Sequence, residues 1–297
     1  MKLFDLFITI TALACTLLSC NKNISSDSKP IIAVSIEPQH YLLDNIVGDS
    51  IDIVTMLPPN ADPENFEPPI STLKQLSDAK AYIAIGNMPF ETQLLSRSGI
   101  TSNPSVFTLS SDSLQTITGT HGEGHNHRHA YDPHIWTSLQ NCKIMAEQML
   151  SAAIKVDPKN KQYYTSRYTA LINRLDSIES VLSLKLASSR GDIILVQHPS
   201  LSYYARDYGL TQLHLGAEHK EITPTQMANA IKAATANGTA ATFVSEGEYD
   251  SERMRAIAYQ AGAKIVTANT LGYDFIDQLT ALSNEIAKNH VSHDRKQ

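Results

Sequence analysis

The sequence predicts an α/β protein with two parallel-sheet lobes joined by one long rigid helix. Short β-branched runs alternate with segments of helical spacing in both halves of the chain, which is typical of parallel sheets. Between the halves, residues 159–187 contain neither glycine nor proline. With 42% apolar and 18% charged residues, the 297-residue chain can bury a sizeable core.

Four strands and at least three helices are predicted for the first lobe. The strands are residues 31–36, 51–56, 81–85 and 106–109, and the helices include residues 41–46, 70–76 and 138–154. In the linking segment, Tyr168, Leu171, Leu175, Ile178 and Leu182 recur at three- and four-residue steps. This spacing predicts one amphipathic helix of about 40 Å, at 1.5 Å per residue.

The second lobe repeats the alternation. Its predicted strands are residues 192–196, 210–215, 241–245 and 264–268, and its predicted helices are residues 203–208, 225–236, 251–260 and 275–288. Pro224 suits the first turn of the helix that follows it. Residues 290–297 are expected to form a polar tail.

The N-terminus is typical of an export signal. Its apolar run is short for a transmembrane helix and ends in Leu17-Leu18-Ser19-Cys20, which resembles the bacterial lipobox. Cys20 is then the expected lipidation site and the anchor to the lipid bilayer; an ordinary signal peptide is the alternative. The expected division is 1–20 signal, 21–29 flexible tether, 30–155 first lobe, 156–188 linking helix and 189–297 second lobe.

The net charge limits the classes of ligand, and the cysteine count limits the possible disulfides. The formal net charge of -6, without a run of Lys and Arg, excludes a nucleic-acid-binding stripe and leaves cations as possible ligands. Once Cys15 is removed with the signal and Cys20 is acylated, Cys142 is the only thiol of the folded body. No internal disulfide is expected, and Cys142 is expected to pack as a small apolar residue.

Histidines are concentrated in residues 121–136, which hold five of the eleven in the chain. Such tracts suit borderline ions such as Zn, Ni or Cu. Four of these histidines lie among glycine and polar residues, namely His121, His125, His127 and His129. This composition predicts a loop that is either a secondary metal-binding segment or a solvated insertion. His134, in Asp132-Pro133-His134-Ile135-Trp136, is expected in an ordered place, as a ligand or as a structural histidine.

His198 follows a predicted buried strand directly. Ligands of parallel sheets bind at the carboxyl ends of strands, and a cleft between two lobes is a natural site. Four loops are therefore expected to meet in this cleft: residues 57–68, the loop of His134, residues 197–200 and residues 269–272. A ligand role for His198 is favoured over a structural one.

These residues resemble the metal-binding receptors of bacterial ABC importers, the zinc-uptake solute-binding proteins with a TroA-like fold. The similarity covers most of residues 31–282. The second-ligand motif of the family is matched almost letter for letter by residues 132–136. Other similar segments are Ser35-Ile36-Glu37-Pro38, the first-ligand loop at 58–68, Gln197-His198 at the third ligand and residues 269–272 at the Asp-Pro-Leu-Gly turn.

The resemblance implies a metal site in the inter-lobe cleft made of Glu64, His134, His198 and Asn269. The first ligand of the family is a histidine after proline, whereas here Pro63 precedes Glu64, and zinc accepts a carboxylate oxygen as well. Asn269 is a poor zinc ligand, so water can take the fourth place. Glu67 is a weaker alternative to Glu64, and Glu246 a candidate outer partner.

The implied function is a non-catalytic receptor in the periplasm or at the cell surface. It would capture Zn²⁺ and deliver it to an ABC-importer permease in the inner membrane, acting as a monomer. Manganese is the alternative cargo because a carboxylate hardens the site, although four extra histidines favour zinc. A secreted zinc hydrolase lacks sequence support, since there is no His-Glu-x-x-His or Gly-x-Ser-x-Gly motif. A metal-storage lipoprotein or adhesin is a third alternative.

Overall fold

The computed structural model describes residues 29–59, 61–97, 105–109, 112–117, 131–214, 224–235, 239–246 and 252–294. Cys20 and the four loop histidines, His121, His125, His127 and His129, lie outside the described residues. Within the described ranges, no helix is both long and apolar enough to cross a membrane.

The first lobe is built on a four-stranded parallel sheet of order β2-β1-β3-β4. Its elements are β1 (Ile31–Val34), α1 (Glu37–Val47), β2 (Asp52–Thr55), α2 (Ile70–Asp78), β3 (Ala81–Ala84), α3 (Pro89–Arg97), β4 (Ser105–Thr108) and α4 (Leu139–Val156). All four predicted strands are confirmed. Helix α3 was not predicted from the sequence, although its opening proline suits a first helical turn.

The linking helix α5 (Lys161–Leu186) runs for 26 residues without a break, as predicted. Its buried face includes Leu171, Leu175 and Leu182. This face contacts α1 and α4 of the first lobe and the last helix of the second. On the α4 side, Lys143 Nζ lies 2.7 Å from Asp176 Oδ1 and 2.8 Å from Glu179 Oε2. Because the helix packs on elements of both lobes, it joins them rigidly.

The second lobe has a parallel sheet of order β6-β5-β7-β8, which confirms the fold class. Its elements are β5 (Ile193–Val196), α6 (Ser202–Tyr208), β6 (Thr211–His214), α7 (Pro224–Thr235), β7 (Ala241–Ser245), α8 (Glu252–Gln260), β8 (Lys264–Thr267) and α9 (Phe275–Asp294).

The polar tail expected from residue 290 is wrong as far as Asp294, because α9 continues to that residue. His290 Nδ1 lies 2.9 Å from Asp192 Oδ2, next to the start of β5. This contact joins the last turns of α9 to the sheet, so polar composition alone did not reveal the helix.

Strand β5 contributes to two hydrophobic cores. Ile194 and Val196 belong to the main core, which also contains the side chains of the first lobe, whereas Ile193 and Leu195 belong to a smaller core in the second lobe. This division follows from the two-residue alternation of a strand. Cys142 is fully buried in the main core as predicted, and its thiol donates to the Trp136 carbonyl at 3.1 Å.

Candidate metal centre

His134 is fixed by the residue two positions before it. Asp132 Oδ1 accepts a hydrogen bond from the His134 backbone N–H at 2.9 Å and lies 2.7 Å from His134 Nδ1. The ring is 5% exposed. A proton on Nδ1, donated to the carboxylate, leaves the lone pair of Nε2 free to bind a metal ion. This orientation is the one that a ligand histidine requires.

The Asp132 side chain is a carboxylate anion, which suits it to hold the His134 ring. Burial raises the pKa of its carboxyl group, but the hydrogen bonds and charge of His134 outweigh burial and hold the pKa below its ordinary value. Tyr203, on α6 of the second lobe, donates its hydroxyl to the Asp132 carbonyl at 2.7 Å. The His134 loop is therefore anchored from both lobes.

His198 faces His134 across the cleft. It follows β5 and is buried, and its Nε2 lies 3.1 Å from Nε2 of His134. The ring centroids are 4.9 Å apart with an angle of 65° between the planes. In a tetrahedral zinc site with bonds of about 2.0 Å, neighbouring ligand atoms lie about 3.3 Å apart. The spacing of the two nitrogens is close to that value.

Glu64 reaches the same place from the loop after β2. Its Oε1 lies 3.4 Å from His198 Nε2, and its side chain is 15% exposed. The Asp62 carboxylate accepts the Glu64 backbone N–H at 2.9 Å and so shapes the turn. Glu67, by contrast, is exposed. Of the predicted set, the structure thus places Glu64 beside His198, and His198 beside His134.

Asn269 lies in the loop that follows β8. It is exposed, and its Oδ1 accepts the Leu271 backbone N–H at 3.2 Å. A cavity of about 290 Å³ opens beside it, lined also by Glu37, Pro58 and Tyr273. Among the described side chains, no group of three or more His, Cys, Asp or Glu residues is placed to hold a metal ion. The arrangement is a facing histidine pair with one carboxylate beside His198.

Two buried carboxylates at the carboxyl ends of the sheets were not assigned firm roles from sequence. Glu246, directly after β7, accepts hydrogen bonds from the hydroxyls of Ser200 and Thr270, at 2.6 and 3.0 Å. Both donors lie in predicted site loops. The sequence signal for Glu246 was its place at the end of a buried strand.

Glu91 is the corresponding carboxylate of the first lobe, and sequence reasoning missed it. It accepts the backbone N–H groups of Ile85 and Gly86, at 2.7 and 2.8 Å, and the hydroxyl of Ser35. Burial raises the pKa of its carboxyl group. Gly86 has a φ of 98°, a conformation that side chains rarely adopt, so Glu91 stabilises a turn that needs glycine. An acidic residue in the first turn of α3 was the available signal.

Comparisons with known proteins identify the family of the chain. The family model of the zinc-uptake complex component A periplasmic proteins (ZnuA) matches residues 32–289. A crystal structure of a ZnuA deletion mutant with zinc bound is 30% identical, with a TM-score of 0.77, over 89% of this chain and 98% of that one.

Two curated relatives are named for different metals. The manganese ABC transporter substrate-binding lipoprotein PsaA of Streptococcus pneumoniae is 25% identical, over 89% of this chain and 88% of that protein. The zinc-binding protein AdcA of Streptococcus pyogenes serotype M3 is 21% identical, over 84% of this chain and 52% of that protein. The chain belongs to the ZnuA family of metal-binding ABC transporter substrate-binding proteins.

Proposed function

We propose that this protein is an extracytoplasmic receptor that captures zinc and delivers it to an ABC permease. The observation that carries the proposal is the facing pair of imidazoles, whose Nε2 atoms lie 3.1 Å apart with Glu64 beside one of them. His134 and His198 would bind the ion through Nε2, and Glu64 through its carboxylate. Asn269 or water would take the fourth place.

The chemistry of this set favours zinc. Imidazole nitrogens suit borderline ions, whereas sites for manganese are richer in carboxylate and other oxygen ligands. The two nitrogens are also spaced for a small tetrahedral ion. His121, His125, His127 and His129 would add weaker sites that collect zinc.

The architecture supports a receptor rather than an enzyme. The candidate ligands come from both lobes, which α5 and hydrogen bonds hold together, so a bound ion would be enclosed between the lobes. Relatives are named as substrate-binding proteins of ABC transporters, which supports a permease as the partner. We propose that the chain acts as a monomer, tethered to the membrane through lipidated Cys20 and residues 21–29.

Manganese is the second candidate cargo. Glu64 provides an oxygen ligand where an imidazole would favour zinc more strongly, and one relative is named as a manganese receptor. The same protein fold therefore supports either ion, and the ligand set decides between them.

A direct metal competition tests the proposal. Metal-free protein is titrated with zinc and with manganese against chelators of known affinity, and we expect zinc to bind at least about tenfold more tightly. Zinc at a thousand times the dissociation constant should stabilise the folded state by about 4 kcal/mol, measured by thermal unfolding. Tighter binding of manganese would assign the second cargo, and binding of neither ion would overturn the receptor function.

A further inference from the structure

Thr270 contacts the surroundings of both histidines. Its backbone carbonyl accepts a hydrogen bond from Trp136 Nε1 at 2.8 Å, and its hydroxyl donates to Glu246 at 3.0 Å. Trp136 follows His134 closely, and the centroids of these two rings are 5.2 Å apart. Thr270 therefore joins the loop of the first lobe that carries His134 to a buried carboxylate of the second lobe.

The other oxygen of Glu246 leads to His198. Ser200 donates its hydroxyl to Glu246 Oε2 at 2.6 Å, and its backbone N–H donates to the His198 carbonyl at 2.8 Å. A hydroxyl bond to a carboxylate at this length is among the stronger hydrogen bonds of proteins. The turn that follows His198 is thus held by the same carboxylate that accepts the Thr270 hydroxyl.

The whole connection is shielded from water. Thr270, Glu246, Ser200 and Trp136 are all buried. Buried hydrogen bonds that connect in series restrict one another, so the loss of one donor loosens the others. The separation between His134 and His198 depends on two loops from different lobes, and this connection spans both of them.

We propose that Thr270 is a positioning residue that sets the separation of the two histidines through Glu246 and Trp136. This inference rests on the proposed function, because it assigns Thr270 a role in metal affinity. A fixed separation near the tetrahedral spacing favours zinc, so loosening it lowers both the affinity for zinc and the preference for zinc over manganese. Thr270 itself does not need to touch the ion.

Three single substitutions separate this role from simple stability. Thr270→Val keeps the shape and the backbone carbonyl but removes the hydroxyl that Glu246 accepts. Thr270→Ser keeps the hydroxyl and is the conservative rescue. Thr242→Val is the matched control, since Thr242 is also a buried threonine of the second lobe, and its hydroxyl accepts from Asn289 Nδ2 at 3.0 Å away from the site loops.

Zinc and manganese affinities of the full chain are measured by chelator competition, with melting temperatures of the metal-free proteins alongside. Thr270→Val should weaken zinc binding about tenfold or more, as changes in residues that orient ligands do. Thr270→Ser should bind zinc within about twofold of the unaltered protein, and Thr242→Val should lower only the melting temperature. With cobalt(II) as a probe, Thr270→Val should weaken the visible bands that tetrahedral coordination produces.

Ser200→Ala provides a second route if Thr270→Val folds poorly, because it removes the other hydroxyl that Glu246 accepts. It should reduce zinc affinity in the same way as Thr270→Val. Unchanged zinc affinity in either variant, or equal losses in Thr270→Val and Thr242→Val, would overturn the role of Thr270. An unaltered protein that binds neither zinc nor manganese would instead overturn the proposed function.

Discussion

His134 and His198 face each other, but their positions are stabilised differently. Asp132, only two residues away, contacts the ring and the backbone of His134 directly. The turn after His198 contains Ser200, whose backbone N–H donates to the His198 carbonyl and whose hydroxyl donates to Glu246, 46 residues further along the chain. The His134 ring is therefore held by a residue of its own turn, whereas the turn of His198 is held by a distant residue, so two residues proposed for the same role have different supports.

A similar contrast separates the two buried carboxylates. Glu91 accepts mainly backbone N–H groups of its own lobe, whereas Glu246 accepts hydroxyls from two site loops. Both residues lie near the carboxyl ends of parallel strands. A buried carboxylate at the end of a sheet therefore stabilises the local structure. Its hydrogen-bond donors show whether the loops that it stabilises belong to the candidate metal site.

The largest expected effect comes from the histidines themselves. His134→Ala and His198→Ala should each weaken zinc binding by well over about 100-fold, because each removes a nitrogen ligand rather than its support. Chelator competition measures the loss, and circular dichroism confirms that the variants fold. If either variant retained tight binding, the two histidines would not form one site, and the comparison between them would lose its basis.

Glu64 tests whether the pair needs a third protein ligand. Glu64→Ala should weaken zinc binding by about 100-fold, at the upper end of what an outer residue would cause. Glu67→Ala is the matched control in the same loop and should bind as the unaltered protein does, because Glu67 is exposed. Glu64→His should restore or tighten zinc binding and shift the preference further from manganese.

Equal affinities of Glu64→Ala and the unaltered protein in the same titration would reduce Glu64 to a loop acid. The site would then be completed by Glu67, a loop histidine or water.

Asp132→Asn tests the local support of His134. Asparagine keeps an acceptor oxygen but loses the charge, so zinc affinity should fall about tenfold. Asp157→Asn is the control, because Asp157 is also buried and accepts the Tyr164 hydroxyl at 2.6 Å, between α4 and α5. It should cost about 1–3 kcal/mol of unfolding free energy by chemical denaturation and leave zinc affinity unchanged.

The pairing of these two variants is decisive because both alter a buried hydrogen-bonded aspartate. If they lowered zinc affinity equally, stability rather than orientation of His134 would set the affinity.

The smallest effect is expected from the histidine-rich segment. Deleting residues 121–129 should leave the tight site within about twofold of its original affinity, because His134 and His198 are already held in buried positions by the fold. Calorimetry should show that only weaker sites disappear. Loss of the tight site in this deletion would move the centre from the His134 and His198 pair to the loop.

Much of the fold was predictable because its signals are local. The strands follow from short β-branched runs. Helix α5 follows from apolar residues at three- and four-residue steps in a segment without glycine or proline. His134 was predictable for the same reason, since Asp132 and Pro133 adjoin it. The place of His198 at a strand end follows from a general rule for parallel sheets.

Other features were decided only by the tertiary structure. Trp136 and Thr270 are 134 residues apart, and Thr270 and Glu246 are 24 residues apart, so no periodic pattern links them. The last turns of α9 depend likewise on Asp192, at the other end of the second lobe's sequence. The hydrogen bond between Trp136 and Thr270 joins the two lobes, whereas the other two lie within the second lobe. All three exist because packing of the core brings segments that are distant in the chain together.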